Sequence, residues 1–223
     1  MSKYNNDSNT YITDTTVKRP IITLNINKDE SDKLWKELLG DDILVSSEYY
    51  DGFIIDKKAN MDSIVPMLNL FDNFVINNKD EFLDIGSGLG LFSFGLKKKF
   101  NFKKIIGLEY NKISYEASLE NLKKIKLDNI EFINENAFEY IIPKSITYIY
   151  LYNPFGHNLE SFEKMIKRFQ YCDTNAKIFW YNIRFTIKHF EILLKYNFKL
   201  EIYSRFYYNK LEHFYYIMFK KQI

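Results

Sequence analysis

Between Phe82 and Gly90 the chain reads Phe-Leu-Asp-Ile-Gly-Ser-Gly-Leu-Gly. An apolar strand ends in an acid, and glycines at alternate positions lead into an amphipathic segment. Glycine at 86, 88 and 90 removes the β-carbons that would hold a ligand off the backbone, so the turn can wrap a small polar molecule closely. Strand, turn and helix in that order are the opening unit of an open α/β sheet, and the geometry implies a cofactor.

The rest of the chain continues the pattern. From Glu81 onward, short apolar runs alternate with amphipathic stretches, as expected of a mostly parallel sheet covered on both faces. Strands are expected near residues 81–85, 104–109, 130–134, 146–152, 177–182, 198–204 and 213–219. Helices are expected near 90–100, 112–126, 136–141, 158–171 and 184–196. Only residues 205–212 separate the last two strands. That is too short for a helical crossover, so an antiparallel hairpin is predicted. Upstream, residues 1–20 are polar and poorly periodic, 21–26 read as a short strand and 29–39 as a helix stopped by Gly40. A further helix is expected over 61–75, with Ile64, Met67, Leu68, Phe71 and Val75 along one face. The chain therefore divides into a flexible leader with a small attachment or lid over residues 1–58, and an α/β domain over 59–223.

Composition removes several alternatives. A chain of 223 residues can bury the core of one α/β domain. Lys plus Arg is 31 and Asp plus Glu is 29, and a net charge of +2 makes no electrostatic case for nucleic acid or an anionic membrane. The lysine groups around 97–99, 103–104 and 123–126 read as solvated helix ends that complement helix dipoles. Cys172 is the only cysteine, which excludes an intramolecular disulfide and a cysteine-rich metal site and points to an intracellular, soluble protein, cytoplasmic or nuclear. His157, His189 and His213 lack the i, i+4 spacing of a helical metal pair, so no metal is expected. No apolar run reaches membrane-spanning length.

The chemistry concentrates at two strand ends. Glu109 closes the strand after the glycine turn, about where a nucleoside cofactor's ribose hydroxyls would need an acceptor. The turn is G-x-G-x-G rather than G-x-G-x-x-G, and Asp84 precedes it, so a negative charge faces the place a pyrophosphate would occupy. S-adenosylmethionine fits that charge. Its sulfonium and ammonium tolerate nearby carboxylates, and its own carboxylate can use backbone N–H groups of the turn. Tyr152-Asn153-Pro154-Phe155-Gly156 follows the fourth strand of the domain, at the carboxyl edge where open α/β sheets bind ligands. Asn153 offers a carbonyl, Pro154 frees carbonyls of a competing N–H, and Phe155 can cover a planar group, so the three are the candidate catalytic residues.

Taken together, FLDIGSGLG, IIGLEYN, IEFINENAF and YIYLYNPFG resemble the motif series of class I S-adenosylmethionine-dependent methyltransferases, across roughly residues 60–219. The resemblance implies a doubly wound seven-stranded sheet of order 3-2-1-4-5-7-6 with the last strand antiparallel. It implies that Asp84, Gly86 and Gly88 surround the methionine portion of the cofactor, with Ser87 and Gly90 in the same turn. Glu109 would bind ribose and Tyr110 would pack near adenine. Asn136, before Ala137, stands where the family usually has an aspartate accepting from the adenine amino group. Asn153-Pro154-Phe155 is similar to the Asn-Pro-Pro-aromatic motif of enzymes that methylate amino nitrogens, with one proline fewer. The glycine turn and the strand 106–109 are also similar to the seven-strand class of histone lysine methyltransferases. The expected acceptor is nitrogen on a protein side chain, lysine-type. A nucleic-acid base, a small molecule and a non-catalytic scaffold stay open as alternatives. His157 is read as a surface or capping residue, and Tyr49, Tyr50 and Asp51 as lid candidates.

Overall fold

The computed structural model describes residues 68–152, 154–155, 158–171, 176–181, 186–208 and 211–221, together with residues 24–25 and 37. After a two-residue strand β1 (Leu24–Asn25), the cofactor strand β2 (Glu81–Ile85) is followed by α1 (Leu91–Lys99), β3 (Lys104–Glu109), α2 (Lys112–Ile125) and β4 (Ile130–Asn134). The second half runs through β5 (Ile146–Tyr152), α3 (Leu159–Tyr171), β6 (Lys177–Tyr181), α4 (Ile187–Lys195), β7 (Phe198–Tyr208) and β8 (Leu211–Lys221). These strands form one sheet in the order β1-β7-β8-β6-β5-β2-β3-β4. Strands β4, β3, β2, β5 and β6 are mutually parallel, which is the expected 3-2-1-4-5 order when β2 is counted first. Strand β8 lies antiparallel between β6 and β7. The described sheet thus has eight strands where seven were expected, because Leu24–Asn25 pairs with β7 at the edge.

Alternation along the central strands sorts side chains into two cores. In β2, Phe82 belongs to one cluster and Leu83 and Ile85 to the other. In β5, Tyr148 and Tyr150 face the first and Ile149 and Leu151 the second. The first core is aromatic. Phe71 meets Phe179 at 4.6 Å, Phe82 at 5.6 Å and Tyr148 at 6.1 Å between ring centroids, joining the short helical stretch at 68–71 to three strands. The second core is closed by Phe162, Met165, Ile166 and Phe169 of α3 and Leu193 of α4. A strand buried on both faces reads as a continuous apolar run, which is why the central elements were legible.

Two local expectations fail for identifiable reasons. Residues 137–139 form a turn rather than the helix expected over 136–141. The N–H groups of Glu139 and Tyr140 both donate to Asn136 O, but Pro143 biases the residue before it away from helical angles and the turn does not propagate. The helix expected to reach residue 75 ends at 71, where Asn73 Nδ2 donates to Leu70 O at 3.0 Å and the chain turns outward. Val75, expected on the apolar face, is 90% exposed. The proposed division at residue 58 lies outside the described residues.

Candidate functional site

The glycine turn is held by the strand beside it. The N–H groups of Gly86 and Ser87 both donate to Leu108 O, at 2.8 and 3.1 Å, and Gly90 N donates to Ser87 O at 2.9 Å. Gly88 N donates to Glu109 Oε2 at 2.8 Å. Four of the turn's donors are therefore used internally. The turn is not the row of free N–H groups that would cradle a diphosphate. Gly86, Gly88 and Gly90 have φ of +78°, +53° and +80°, left-handed values that favour glycine. Their surroundings differ. A β-carbon at Gly90 would run into the Phe132 ring, whereas one at Gly88 would meet nothing within 4 Å and stand in open space. Gly107, inside β3, makes room for the same Phe132 ring and for Ser87 Oγ. That hydroxyl is buried and has no hydrogen-bond partner among the described residues.

Two acids border the turn. Asp84 is 2% exposed, and its Oδ2 accepts from Ser93 Oγ at 2.7 Å. Burial pushes its carboxyl up to about 7, against the Ser93 hydrogen bond, and the neighbouring charge of Glu109 adds to the rise. Glu109 is oriented through both oxygens, Oε2 toward Gly88 N and Oε1 accepting from Asn111 N at 2.7 Å. Burial raises its pKa, while backbone N–H groups of Asn111, Gly88 and Tyr110 pull the other way. Asn134 of β4 fixes the same corner, its Nδ2 donating to the carbonyls of Glu109 and Tyr110 at 2.8 and 2.9 Å.

A cavity of about 80 Å3 is lined by Asp84, Gly86, Ser87 and Gly88 together with Phe92, Tyr150 and Tyr152. Among the described residues, no lysine or arginine lines it. The Tyr150 ring lies 4.3 Å from that of Phe92 with the planes tilted by 38°, and its phenol is pushed well above 10 by burial and by the neighbouring Tyr181, Asp84 and Tyr152. A cavity lined by a buried acid and aromatic rings, with no cation among its described lining residues, suits a positively charged organic group better than a phosphate. The residues present fit S-adenosylmethionine on that ground. The space left beside Gly88 and the oriented carboxylate of Glu109 agree with it.

The remaining candidates are distributed around this cavity. Tyr110 is 73% exposed beyond Glu109. Asn136 Oδ1 accepts from Phe138 N at 3.0 Å, so one lone pair of that oxygen is committed to the local turn. Ala137 is partly buried against the second core. Pro154 stands against the glycine turn, 3.4 Å from where a β-carbon of Gly86 would be. Phe155 does not cover the cavity. It stacks on Phe138 at 4.7 Å, lies edge-on to Trp180 at 6.0 Å and belongs to the second core. Asn153, Gly156, His157, Cys172 and the lid candidates Tyr49, Tyr50 and Asp51 lie outside the described residues. His189 is a buried helix-capping residue, its Nδ1 2.8 Å from Thr186 Oγ1. The sequence reading passed over Ser93, Asn134, Tyr150 and Tyr152 as site residues. Only the period-two run Tyr148, Tyr150, Tyr152 carried a signal, since it puts three phenols on the face of Asp84.

Comparison with known proteins bears on this geometry. A family profile described as a methyltransferase domain matches residues 76–194, more than half of the chain. A probable ribosomal RNA small subunit methyltransferase A from Methanosphaera stadtmanae is 32% identical over 75 residues. That match covers 34% of this chain and 27% of the relative, so the chain spans about a quarter of the length of the curated relative it matches. Among solved structures, M. capricolum TrmK in complex with S-adenosyl-homocysteine is similar with a TM-score of 0.55 at 19% identity, covering 70% of this chain and 67% of that one. The Pyrococcus abyssi tRNA (uracil-54, C5)-methyltransferase, also with S-adenosyl-L-homocysteine, gives 0.53 at 16% identity over 70% of this chain and 38% of that one. At these identities the structural likeness is one of fold. Among the described residues, no helix is long and apolar enough to cross a membrane, and no group of three His, Cys, Asp or Glu is placed to hold a metal.

Proposed function

The chain belongs to the methyltransferase-domain family and is an S-adenosylmethionine-dependent methyltransferase, and on that premise we propose that its acceptor is an amino nitrogen of an RNA base. Bound at the glycine turn, the cofactor supplies a methyl group already activated on a sulfonium. We assign Asp84, Gly86, Ser87, Gly88 and Gly90 to its methionine side, Glu109 to the ribose hydroxyls, and Tyr110, Asn136 and Ala137 to the adenine side. Asn136 retains acceptor capacity for an adenine amino group, since one carbonyl oxygen carries two lone pairs. The order β4-β3-β2-β5-β6-β8-β7 is read as the seven-stranded sheet of this class, with β1 as an addition.

The observation that supports the reading is the place of Pro154 beside the glycine turn, 3.4 Å from where a β-carbon of Gly86 would stand. We propose that Asn153 accepts from the acceptor's amino group while Pro154 shapes the turn, so that the lone pair points at the methyl. In-line placement supplies much of the rate when the leaving group is already activated. RNA is favoured over the protein side chain expected from sequence because relatives described as rRNA and tRNA methyltransferases occur among the similar proteins. The test is to incubate the protein and tritiated donor with total cell RNA, a protein extract and a small-molecule fraction separately. Label in RNA, lost in Asn153→Ala while S-adenosylhomocysteine binding persists, is expected. Label confined to protein would sink the RNA reading.

A further inference from the structure

We propose that Ser93 is a positioning residue for cofactor binding: its hydroxyl, reaching from the first turn of α1, fixes the Asp84 carboxyl for the cationic methionine end of the cofactor. The inference rests on the assignment of Asp84 to that end of the cofactor. Ser93 is the third residue of α1, and its Oγ donates to Asp84 Oδ2 at 2.7 Å. Both side chains are buried, and Ser93 has none of its surface exposed. Its companions on the buried face of α1 are Leu91, Phe92, Phe94, Gly95 and Leu96, none of them with a polar side chain. A hydroxyl on such a face costs stability unless it is hydrogen-bonded, and alanine is the better helix former. The polar group of that face is committed to the acid that lines the cavity.

The surroundings of Asp84 give that bond its weight. Its register neighbours are Gly107 on β3, which has no side chain, and Tyr150 on β5, whose phenol stays neutral because its pKa is pushed well above 10. From β3 the carboxylate of Glu109 faces Asp84 and opposes its ionisation. Helix α1 has no acid in its first turn, and Lys97, Lys98 and Lys99 fall in its last. Burial holds the Asp84 carboxyl up at about 7, and the Ser93 hydrogen bond is the influence that pulls it down. A hydroxyl bonds an anion more strongly than a neutral acid, so its loss disfavours the ionised form. The ionised form is the one a cation prefers to meet. Ser93 therefore sets the pH range over which the site takes its cofactor.

The experiment measures S-adenosylhomocysteine affinity of the full chain by calorimetry between about pH 6 and 8.5, in wild type, Ser93→Ala and Asp84→Asn. Wild-type affinity should rise through about 7 and level off. Losing a hydrogen bond to the anion should raise the Asp84 carboxyl by about one pH unit. Ser93→Ala should then bind roughly fivefold more weakly near pH ~7 and within about twofold of wild type near pH ~8.5. A second measurement needs no ligand. The folded chain holds the extra proton on Asp84, so stability from this group is lost as pH rises through the folded pKa, and in Ser93→Ala that loss should extend about one unit higher. A purely structural role for Ser93 weakens binding by one factor at every pH. That outcome, or a Ser93→Ala profile superimposed on wild type while Asp84→Asn is flat, overturns the inference and leaves the assignment of Asp84 standing. An Asp84→Asn profile that follows wild type refutes the assignment itself, and this inference falls with it.

Discussion

Glu109 has a structural role beside the ligand role proposed for it. Its two oxygens accept from Gly88 N and Asn111 N, so the same carboxylate that would meet the ribose also ties the glycine turn to the start of α2. Glu109→Gln keeps the size but turns an amide N–H2 toward one of those backbone donors, leaving it unsatisfied at a cost of about 1–3 kcal/mol. Calorimetry should find S-adenosylhomocysteine bound at least roughly tenfold more weakly, with a lower melting temperature. Asp84 makes a prediction in pH. Its carboxyl stays protonated in the folded chain up to about pH 7, whereas in the unfolded chain it ionises near ~3.9. Between those values the native state holds the extra proton, so this contribution to stability is full below the lower pKa and is lost as pH rises to the upper one. Asp84→Asn cannot titrate, so its melting temperature should gain on wild type across that window and then run parallel. Cofactor binding should slope the other way. A cation beside Asp84 favours its charged form, so wild-type affinity for S-adenosylhomocysteine should rise from about pH 6 to 8 and that of Asp84→Asn should stay flat.

At the scale of the element, the β2 turn and α1 are built by packing that a glycine pattern alone cannot distinguish. Gly88 and Gly90 look alike in sequence, yet one borders the cavity and the other borders the Phe132 ring. Gly88→Ala should cost about 1 kcal/mol of stability from its left-handed φ and greatly weaken cofactor binding, because its methyl stands in the cavity. Gly90→Ala adds overlap with Phe132 to the same strain and should destabilise by about 2 kcal/mol or more in urea titrations. Equal loss of stability in the two variants would contradict this division. Helix α2 is more legible. Asn111 Oδ1 accepts from Ser114 N at 3.0 Å at its start, and Lys126 closes it with φ of +55°. The turn at 137–139 was misread because the Asn136 cap was visible in sequence, while its competition with Pro143 depended on where the chain had to go next.

Among the described residues, one group of lysines lies at the opposite end of the sheet from the proposed site. Lys97 Nζ donates to Phe102 O at 2.6 Å, Lys99 pairs with Asp72 at 2.7 Å, and Lys103 and Lys104 pair with Glu81 and Glu131 at 2.6 Å. All lie near the amino-terminal ends of β2 and β3, away from Glu109 and Tyr152 at the carboxyl ends. Replacing Lys98 and Lys104 with glutamine should leave the slope of log Kd against log salt for an RNA 12-mer unchanged. A slope reduced by about one or more would place the RNA on this edge instead. The sequence by itself determined the alternation of strands and helices in a mostly parallel α/β sheet and the cofactor class. Each rests on local periodicity, on glycine at a turn, or on charge beside it, and these are properties of neighbours along the chain. Tertiary structure alone decided that the turn's N–H groups are consumed by Leu108 and Glu109, that Ser93 engages Asp84, and that of two aromatic residues three positions apart one faces the cavity and the other the core. Those outcomes depend on which strands lie side by side and which face of the sheet each pleat presents, and no local pattern carries that information.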